Sequence, residues 1–547
     1  MKNTYLVFII AIISVTACSD EPGSTPSVTK KNEKVSERDL SITRQNSYSD
    51  LFLDSAKLEK FIAQQKLNEN TATDIRHFYN LRNFEFAWFA SDGLTEQALA
   101  FRSLYDYNKD SLSKKSLDNR LNDIMTDTAG FVPNADITKT ELLLTWRFLN
   151  YTNETYKRKG VREKALTQLI PSKKEEILQT ADRIISGNGR DFATANNSYN
   201  QLKEQLEKYT EIAKHGGWAT IPTRKKTLKK GSKDTVIVLV KKRLQLSSNL
   251  PGRDSSKIYN EELETVIKSV QESFGLKGDG LITSALIKEL NVPAINRVQQ
   301  IIVNLERMRW MPEDPEGRLI TVNIPEFKLY VRDRKEKAFD MDVVVGKEGN
   351  STVMFSGTLN QIVFSPYWNL PRSIVRNEVM TGMEKNPSYL QEHNMEITGE
   401  ENELPVVRQL PGETNALGRV KFLFPNTFNI YFHDTPEKEL FRKTKRAYSH
   451  GCIRLSDPAK LANYLLEEDP QWSSEKIDSA MNAEKEKYVR VKEPVPVLIF
   501  YYTTWVNETG TLQFRDDIYD HDENLARKMF SDARVKNLKR REYLANR

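Results

Sequence analysis

Apolar positions along the chain recur first with a helical period and then with a strand period. Leu58, Phe61 and Ile62 share a helical stripe, as do Leu142, Leu143, Trp146 and Leu149, and so do Tyr199, Leu202, Leu206, Tyr209 and Ile212 within 197–214. A basic, glycine-marked segment from Arg224 to Gly231 reads as a linker or surface loop. Leu263, Val266, Val270 and Phe274 then mark one helix face, followed by a Gly-Leu-Lys-Gly-Asp-Gly turn at 275–280 and a short helix from Thr283 that stops before Asn291-Val292-Pro293. Ile295, Val298, Ile301, Ile302, Leu305 and Met308 line the next helix, which is expected to pack between domains. After Arg318 the pattern alternates, and strands are expected over 319–324, 328–332, 341–345, 422–424, 428–432 and 495–502, with Asn507-Glu508-Thr509-Gly510 as a hairpin turn. The stretch 368–418, rich in Asn, Glu and Pro, reads as an insertion able to cap a cleft.

The pattern predicts a multidomain α+β protein. A helical scaffold is expected over 46–233, a small helical unit over 234–293, a connecting helix over 294–317, a mainly-β domain over 318–525 and a charged tail over 526–547. At 547 residues the chain has room for three or four domains, and 39% hydrophobic with 10% aromatic positions excludes global disorder. Its 81 Lys and Arg exceed its 75 Asp and Glu by a net +6, too slight an excess for a dedicated nucleic-acid binder.

The first residues read as an address. Lys2 precedes an apolar run from Tyr5 to Val15, too short to span a bilayer, and Val15-Thr16-Ala17-Cys18 looks like a bacterial lipobox. Residues 1–18 are thus expected to be a lipoprotein signal peptide, with Cys18 acylated, and the polar stretch 19–45 a flexible tether. The expected location is the periplasm, lipid-anchored to an envelope membrane.

Two cysteines exclude a disulfide-dense scaffold and a four-cysteine zinc site. With lipid on Cys18, Cys452 has no partner in the chain. Its surroundings read Tyr431-Phe432-His433-Asp434, a charged loop, then Ser449-His450-Gly451-Cys452-Ile453-Arg454. In a strand ending at His433, Ile430 and Phe432 face one way and Asn429, Tyr431 and His433 the other, which puts the histidine on the polar side. Gly451 permits a tight turn that presents the sulfur. A nucleophilic cysteine needs a base, and His433 and His450 are both candidates, while Arg454 near the sulfur would favour thiolate. Two other readings are a zinc site from Cys452, His433, His450 and Asp434, whose spacings match no usual zinc motif, and a buried structural cysteine. His77 and His215 read as structural.

The run at 449–454 with His433 upstream resembles the signature of the YkuD family of L,D-transpeptidases. Val344-Val345-Gly346-Lys347, Ser365-Pro366-Tyr367-Trp368-Asn369-Leu370-Pro371, Phe424-Pro425-Asn426 and Phe514-Arg515-Asp516-Asp517-Ile518-Tyr519 are similar to it as well. The order of units resembles the large periplasmic subgroup, and 234–293 resembles a small peptidoglycan-binding domain. This resemblance implies a YkuD-type catalytic domain with a capping insertion. It implies Cys452 as acyl-accepting nucleophile and His433 as base, oriented by the Asp434 backbone carbonyl. His450, Gly451, Arg454, Tyr431, Ser449 and Asp434 would then shape the oxyanion and substrate pocket. The implied partners are donor and acceptor peptidoglycan stem peptides and carbapenem-type inhibitors, with no cofactor or metal. The implied reaction is 3→3 cross-linking. The alternatives are an L,D-carboxypeptidase using the same acyl-enzyme and a non-catalytic wall-binding lipoprotein.

Overall fold

The computed structural model describes residues 35–107, 115–126, 135–156, 162, 166, 169–187, 197–223, 226–247, 249–250, 254–311 and 317–535. The signal peptide, Cys18, the tether up to residue 34 and the end of the charged tail lie outside the described residues. Among the described residues, no helix is long and apolar enough to cross a membrane.

The scaffold is built from α1 (Ser55–Gln64), α2 (Glu69–Asn80), α3 (Glu96–Tyr107), α4 (Lys115–Thr126), α5 (Ala135–Thr155), α6 (Ile177–Ser186) and α7 (Asn197–Lys214). Side-chain oxygens of Asp54 and Asn68 cap α1 and α2, satisfying backbone N–H groups left open at a helix start. An aromatic core of Phe78, Trp88, Phe101 and Phe148 is fully closed and takes in Trp310 from beyond the scaffold. The expected tether is too long by about ten residues: Ile42 is buried, and the Asp39 N–H donates to the Asn80 carbonyl at 2.9 Å.

The small unit contains α8 (Thr235–Leu246), α9 (Glu261–Ser273) and α10 (Ser284–Leu290). It starts earlier than residue 234. Ile221 and Leu228 belong to its core, and Leu228 pairs with Ile282, so the expected linker is part of the fold. The helix expected to connect units is α11 (Ala294–Met308), whose Val298, Ile301, Ile302, Val303 and Leu305 are fully buried against α6, α7 and the C-terminal segment. Arg307 on α11 bridges Glu96 of the scaffold, at 2.5 Å, and Asp522 near the C-terminus, a buried triad that ties three parts of the chain together.

The β domain is a closed ring. Its strands are β1 (Leu319–Asn323), β2 (Lys328–Asp333), β3 (Glu336–Gly346), β4 (Phe355–Phe364), then, after the insertion strands β5 (Trp368–Asn369), β6 (Met395–Glu401) and β7 (Leu404–Gln409), β8 (Val420–Leu423), β9 (Phe432–His433), β10 (Ala447–Ser449), β11 (Ile453–Leu455) and β12 (Lys487–Phe500). The order β3-β11-β9-β8-β4-β12-β1-β2 returns to β3, and β10 lies parallel on the end of β3. Closure leaves no edge in the ring. Helices α12 (Pro458–Leu466) and α13 (Ser474–Met481) pack on the same core. Strand β4 is absent from the sequence expectation although it pairs with both β8 and β12. The insertion has its own core of Leu370, Val375, Val379 and Val407 under β5-β7-β6.

Two expected boundaries are corrected near the end of the chain. The hairpin turn at Asn507–Gly510 does join β13 (Thr504–Val506) to β14 (Leu512–Phe514), but this pair packs on α7 and α11 rather than in the ring. Residues after 525 are not simply a tail. In α14 (His521–Met529), Leu525, Ala526 and Met529 are buried, and Phe530 bridges to Glu175 of the scaffold.

Candidate active site

Register brings the candidate residues together. Strands β9 and β11 run parallel with Phe432 opposite Ile453 and His433 opposite Arg454. The Ile453 N–H donates to the Tyr431 carbonyl at 3.2 Å as part of this pairing, and the Tyr431 backbone N–H and hydroxyl both bond to the Cys452 sulfur. Phe432 and Ile453 point into the ring core, fully buried. Alternation then puts Tyr431, His433, Cys452 and Arg454 on the other face, with Cys452 diagonal to His433. The expected strand 428–432 is corrected here. Strand pairing covers only Phe432–His433, because Asn426 clamps the preceding loop: its amide holds the Phe424 and Ile430 carbonyls, both at 2.7 Å, and accepts the Phe428 and Ile430 N–H groups. That clamp fixes Asn429 at φ 54°, with its carbonyl 3.6 Å from the Cys452 Sγ.

His433 is 5% exposed, and its Nδ1 lies 2.5 Å from the Asp434 carbonyl oxygen. Nδ1 therefore carries the proton, and Nε2 keeps its lone pair. Burial, followed by the nearby Arg454 charge, pushes the imidazole down to about 3, against the smaller pull of the Asp434 carbonyl. Burial pushes the Cys452 thiol up, opposed by the Tyr431 backbone N–H, the Tyr431 hydroxyl and then Arg454. Arg454 thus favours thiolate, as the sequence suggested, but desolvation outweighs it. The resting pair is neutral thiol and neutral imidazole.

The turn that presents the sulfur is held by Ser449, not His450. The Ser449 hydroxyl donates to the Cys452 carbonyl at 2.5 Å and accepts the Gly451 N–H at 3.1 Å, while His450 stands exposed on the bend. Gly451 has φ +112°, which a side chain would strain. Its N–H being taken by Ser449, Gly451 offers no donor to an oxyanion, whereas the Cys452 N–H could supply one. Thr352 supports the turn from below, donating to the Gly451 carbonyl at 2.8 Å and accepting the Gly346 N–H at 2.9 Å. The Tyr519 hydroxyl donates to the Gly346 carbonyl at 2.5 Å, which ties the C-terminal motif to the same loop.

Asp434 is corrected as a pocket residue. Its carboxylate accepts the Arg419 and Thr435 N–H groups, at 2.9 and 2.7 Å, and pairs with Lys438. Only its backbone carbonyl meets His433. A Cβ on Gly418 would fall 2.4 Å from that carboxylate, so the end of the insertion packs directly against this turn. Arg454 pairs with Glu437 and leaves its buried Nε without a partner. The sequence did not single out Lys421, which stands opposite His433 from β8 and carries no ion pair among the described residues. Lys421, His433 and Arg454 thus form one row across β8, β9 and β11, a histidine between two cations.

Residues 317–497 match the family model of the YkuD L,D-transpeptidase catalytic domain, and residues 73–206 match that of the Scaffold domain. The two matches fall on separate parts of the chain, the first on the β ring and its insertion and the second on the helical scaffold. A Haemophilus influenzae protein provisionally named as an L,D-transpeptidase is 32% identical over 247 residues, 42% of this chain and 49% of that protein, so the chain spans about half the length of this curated relative. Among solved structures, the L,D-transpeptidase of Stackebrandtia nassauensis is 14% identical, covering 54% of this chain and 100% of its own, with a TM-score of 0.21. L,D-transpeptidase 3 of Mycobacterium tuberculosis, in complex with a faropenem-derived adduct, is 14% identical over 34% of this chain and 60% of its own, with a TM-score of 0.17. Both overlaps are slight.

Proposed function

We propose that the protein cross-links peptidoglycan by 3→3 L,D-transpeptidation through a Cys452 thioester. The observation that carries this is the single face on which register places Cys452, Tyr431 and His433, with Nδ1 of the histidine held by a carbonyl. His433 Nε2 takes the thiol proton as the sulfur attacks the carbonyl at the L-centre of a diamino acid in a donor stem. The Cys452 N–H and the Tyr431 hydroxyl stabilise the oxyanion. The proton passes to the departing D-Ala amine, leaving a thioester. An amine of a neighbouring stem attacks it and gives up a proton to His433, which returns that proton to the departing Cys452 sulfur and restores the neutral pair. Because both partners rest neutral, the base acts during attack rather than on a preformed ion pair. The reading includes wall binding by the unit around 234–293, lipid on Cys18 and a periplasmic location, and inhibition by carbapenems acylating Cys452.

Incubation of purified sacculi with the protein, followed by muropeptide analysis, tests this. New 3→3 dimers, absent with Cys452→Ala, are expected. Tripeptides without dimers would mean hydrolysis of the same acyl-enzyme, an L,D-carboxypeptidase. Sacculus binding with neither product would mean a wall-binding lipoprotein.

A further inference from the structure

A cavity of about 310 Å³ opens far along the chain from Cys452, where α7, the small helical unit and the β13–β14 hairpin meet. Its lining contains two cations, Lys208 and Arg243, and no Asp or Glu. Arg243 is 3% exposed and held rigidly: its guanidinium stacks 3.4 Å from the Trp218 ring centroid, and its Nε donates to the Leu290 carbonyl at 3.0 Å. Its Nη1 is buried and has no hydrogen-bond partner. Lys208 reaches in from α7, its ammonium 2.5 Å from the Ser247 carbonyl and without a carboxylate partner. Burial and the neighbouring Arg243 charge lower its basicity. Of the further cations nearby, Arg297 on α11 is paired with Glu289, and Arg515 donates to the Ser273 and Phe514 carbonyls at 2.9 and 2.8 Å. Ser269 and Thr511 add hydroxyls to the wall.

A rigid, buried guanidinium nitrogen with nothing to bond is costly unless a ligand or ordered water completes it. With a lysine beside it and no counter-charge in the lining, the missing group is an anion. We propose that this junction is a binding site for a small oxyanion, the carboxylate of a wall-derived peptide, held between Arg243 and Lys208. Only the choice of peptide carboxylate over phosphate rests on the wall-acting reading. Three units of the chain line the cavity, so an occupant would bridge them.

The test is titration calorimetry on the full chain carrying Cys452→Ala, which keeps the thiol out of the result. The probes are a stem tetrapeptide with free carboxylates, the same peptide with its carboxylates amidated, and inorganic phosphate. Saturable binding of the free acid is expected, with affinity falling roughly tenfold or more on amidation and in Arg243→Gln. Lys208→Gln, on a half-buried helix position, should weaken it too and guards against misfolding of the Arg243 variant. Binding of phosphate but not peptide overturns the peptide assignment. No saturable binding, or binding unchanged in both variants, overturns the site and leaves water as its occupant. Acylation of Cys452 in the parent chain is scored separately, so loss of the transpeptidase reading would be seen independently.

Discussion

Glu141 in the scaffold and His433 in the ring are both buried titratable groups, and desolvation moves each toward its neutral form. Glu141 accepts hydrogen bonds from the Ala87 and Trp88 N–H groups, at 2.7 and 3.0 Å, and from the Tyr79 hydroxyl at 2.9 Å, and burial still raises it to about 7. His433 has one nitrogen tied to a backbone carbonyl and the other unbonded among the described residues, and it is lowered to about 3. The carboxylate organises a closed aromatic core by gathering donors. The imidazole is fixed through one atom and left available through the other. Burial alone does not separate structure from chemistry; what distinguishes them is whether the group's bonding capacity is filled.

The largest expected effect falls on the proposed nucleophile. Cys452→Ala should give no covalent adduct with a carbapenem by intact mass while keeping its circular dichroism, and an adduct on that variant would remove Cys452 from the mechanism. Replacing His433 by Ala should slow acylation roughly 10²–10⁴-fold, with partial recovery at alkaline pH as the thiol ionises by itself. His450→Ala should show little such recovery; alkaline rescue in His450→Ala alone would transfer the role of base to it.

On the scaffold side, Glu141→Ala strands the Ala87 and Trp88 N–H groups, while the Tyr79 hydroxyl keeps Thr145 at 2.8 Å. Each unsatisfied donor costs about 1–3 kcal/mol, so the urea midpoint should fall by the equivalent of roughly 2–6 kcal/mol, with the acylation rate of the folded fraction unchanged. An unchanged midpoint would mean that the core does not depend on this carboxylate.

The two groups should also tilt stability in opposite directions with pH. The folded His433 titrates near 3 against an ordinary 6.5, so the unfolded chain holds the extra proton in that window and stability falls as pH drops through it. The folded Glu141 titrates near 7 against 4.5, so its contribution is lost as pH rises between those values. His433→Gln should flatten the acid slope and Glu141→Gln the neutral one, read from denaturation midpoints across pH. Wild-type acylation should lack an acid limb near 6.5; a limb there would mean that the imidazole is not held neutral. The smallest effect is expected at Lys421. Lys421→Met removes one flanking cation and should raise the His433 titration by less than about one unit, measured by imidazole NMR.

The sequence reading follows physical locality. Helices α7, α9 and α11 are visible because their apolar stripes repeat within a few turns, and the Cys452 turn is visible because Ser449, His450 and Gly451 adjoin it. The role of the Asp434 carbonyl came through the family resemblance, since a backbone acceptor has no residue signature. Strand β4 is not legible in the sequence because Gly357, Asn360 and Gln361 interrupt its alternation; its place in the ring is set by two partners distant in sequence. Lys421 reads as an ordinary polar strand position until register puts it opposite His433. Beyond 525, charged Arg527 and Lys528 mask the stripe of Leu525, Ala526 and Met529, and only packing on the scaffold reveals it.

The Tyr519 hydroxyl beneath the cysteine loop makes the order of synthesis matter. The loop carrying Cys452 is made well before Tyr519, yet Gly346 and Thr352, which support the Gly451 turn, are themselves braced by that later tyrosine. A nascent chain stopped short of residue 519 would hold a thiol whose turn lacks part of its support. If the proposed reading holds, competence for acyl transfer should therefore arrive late in translation, and a truncation before Tyr519 should leave a chain that contains Cys452, His433 and Tyr431 but presents its sulfur loosely.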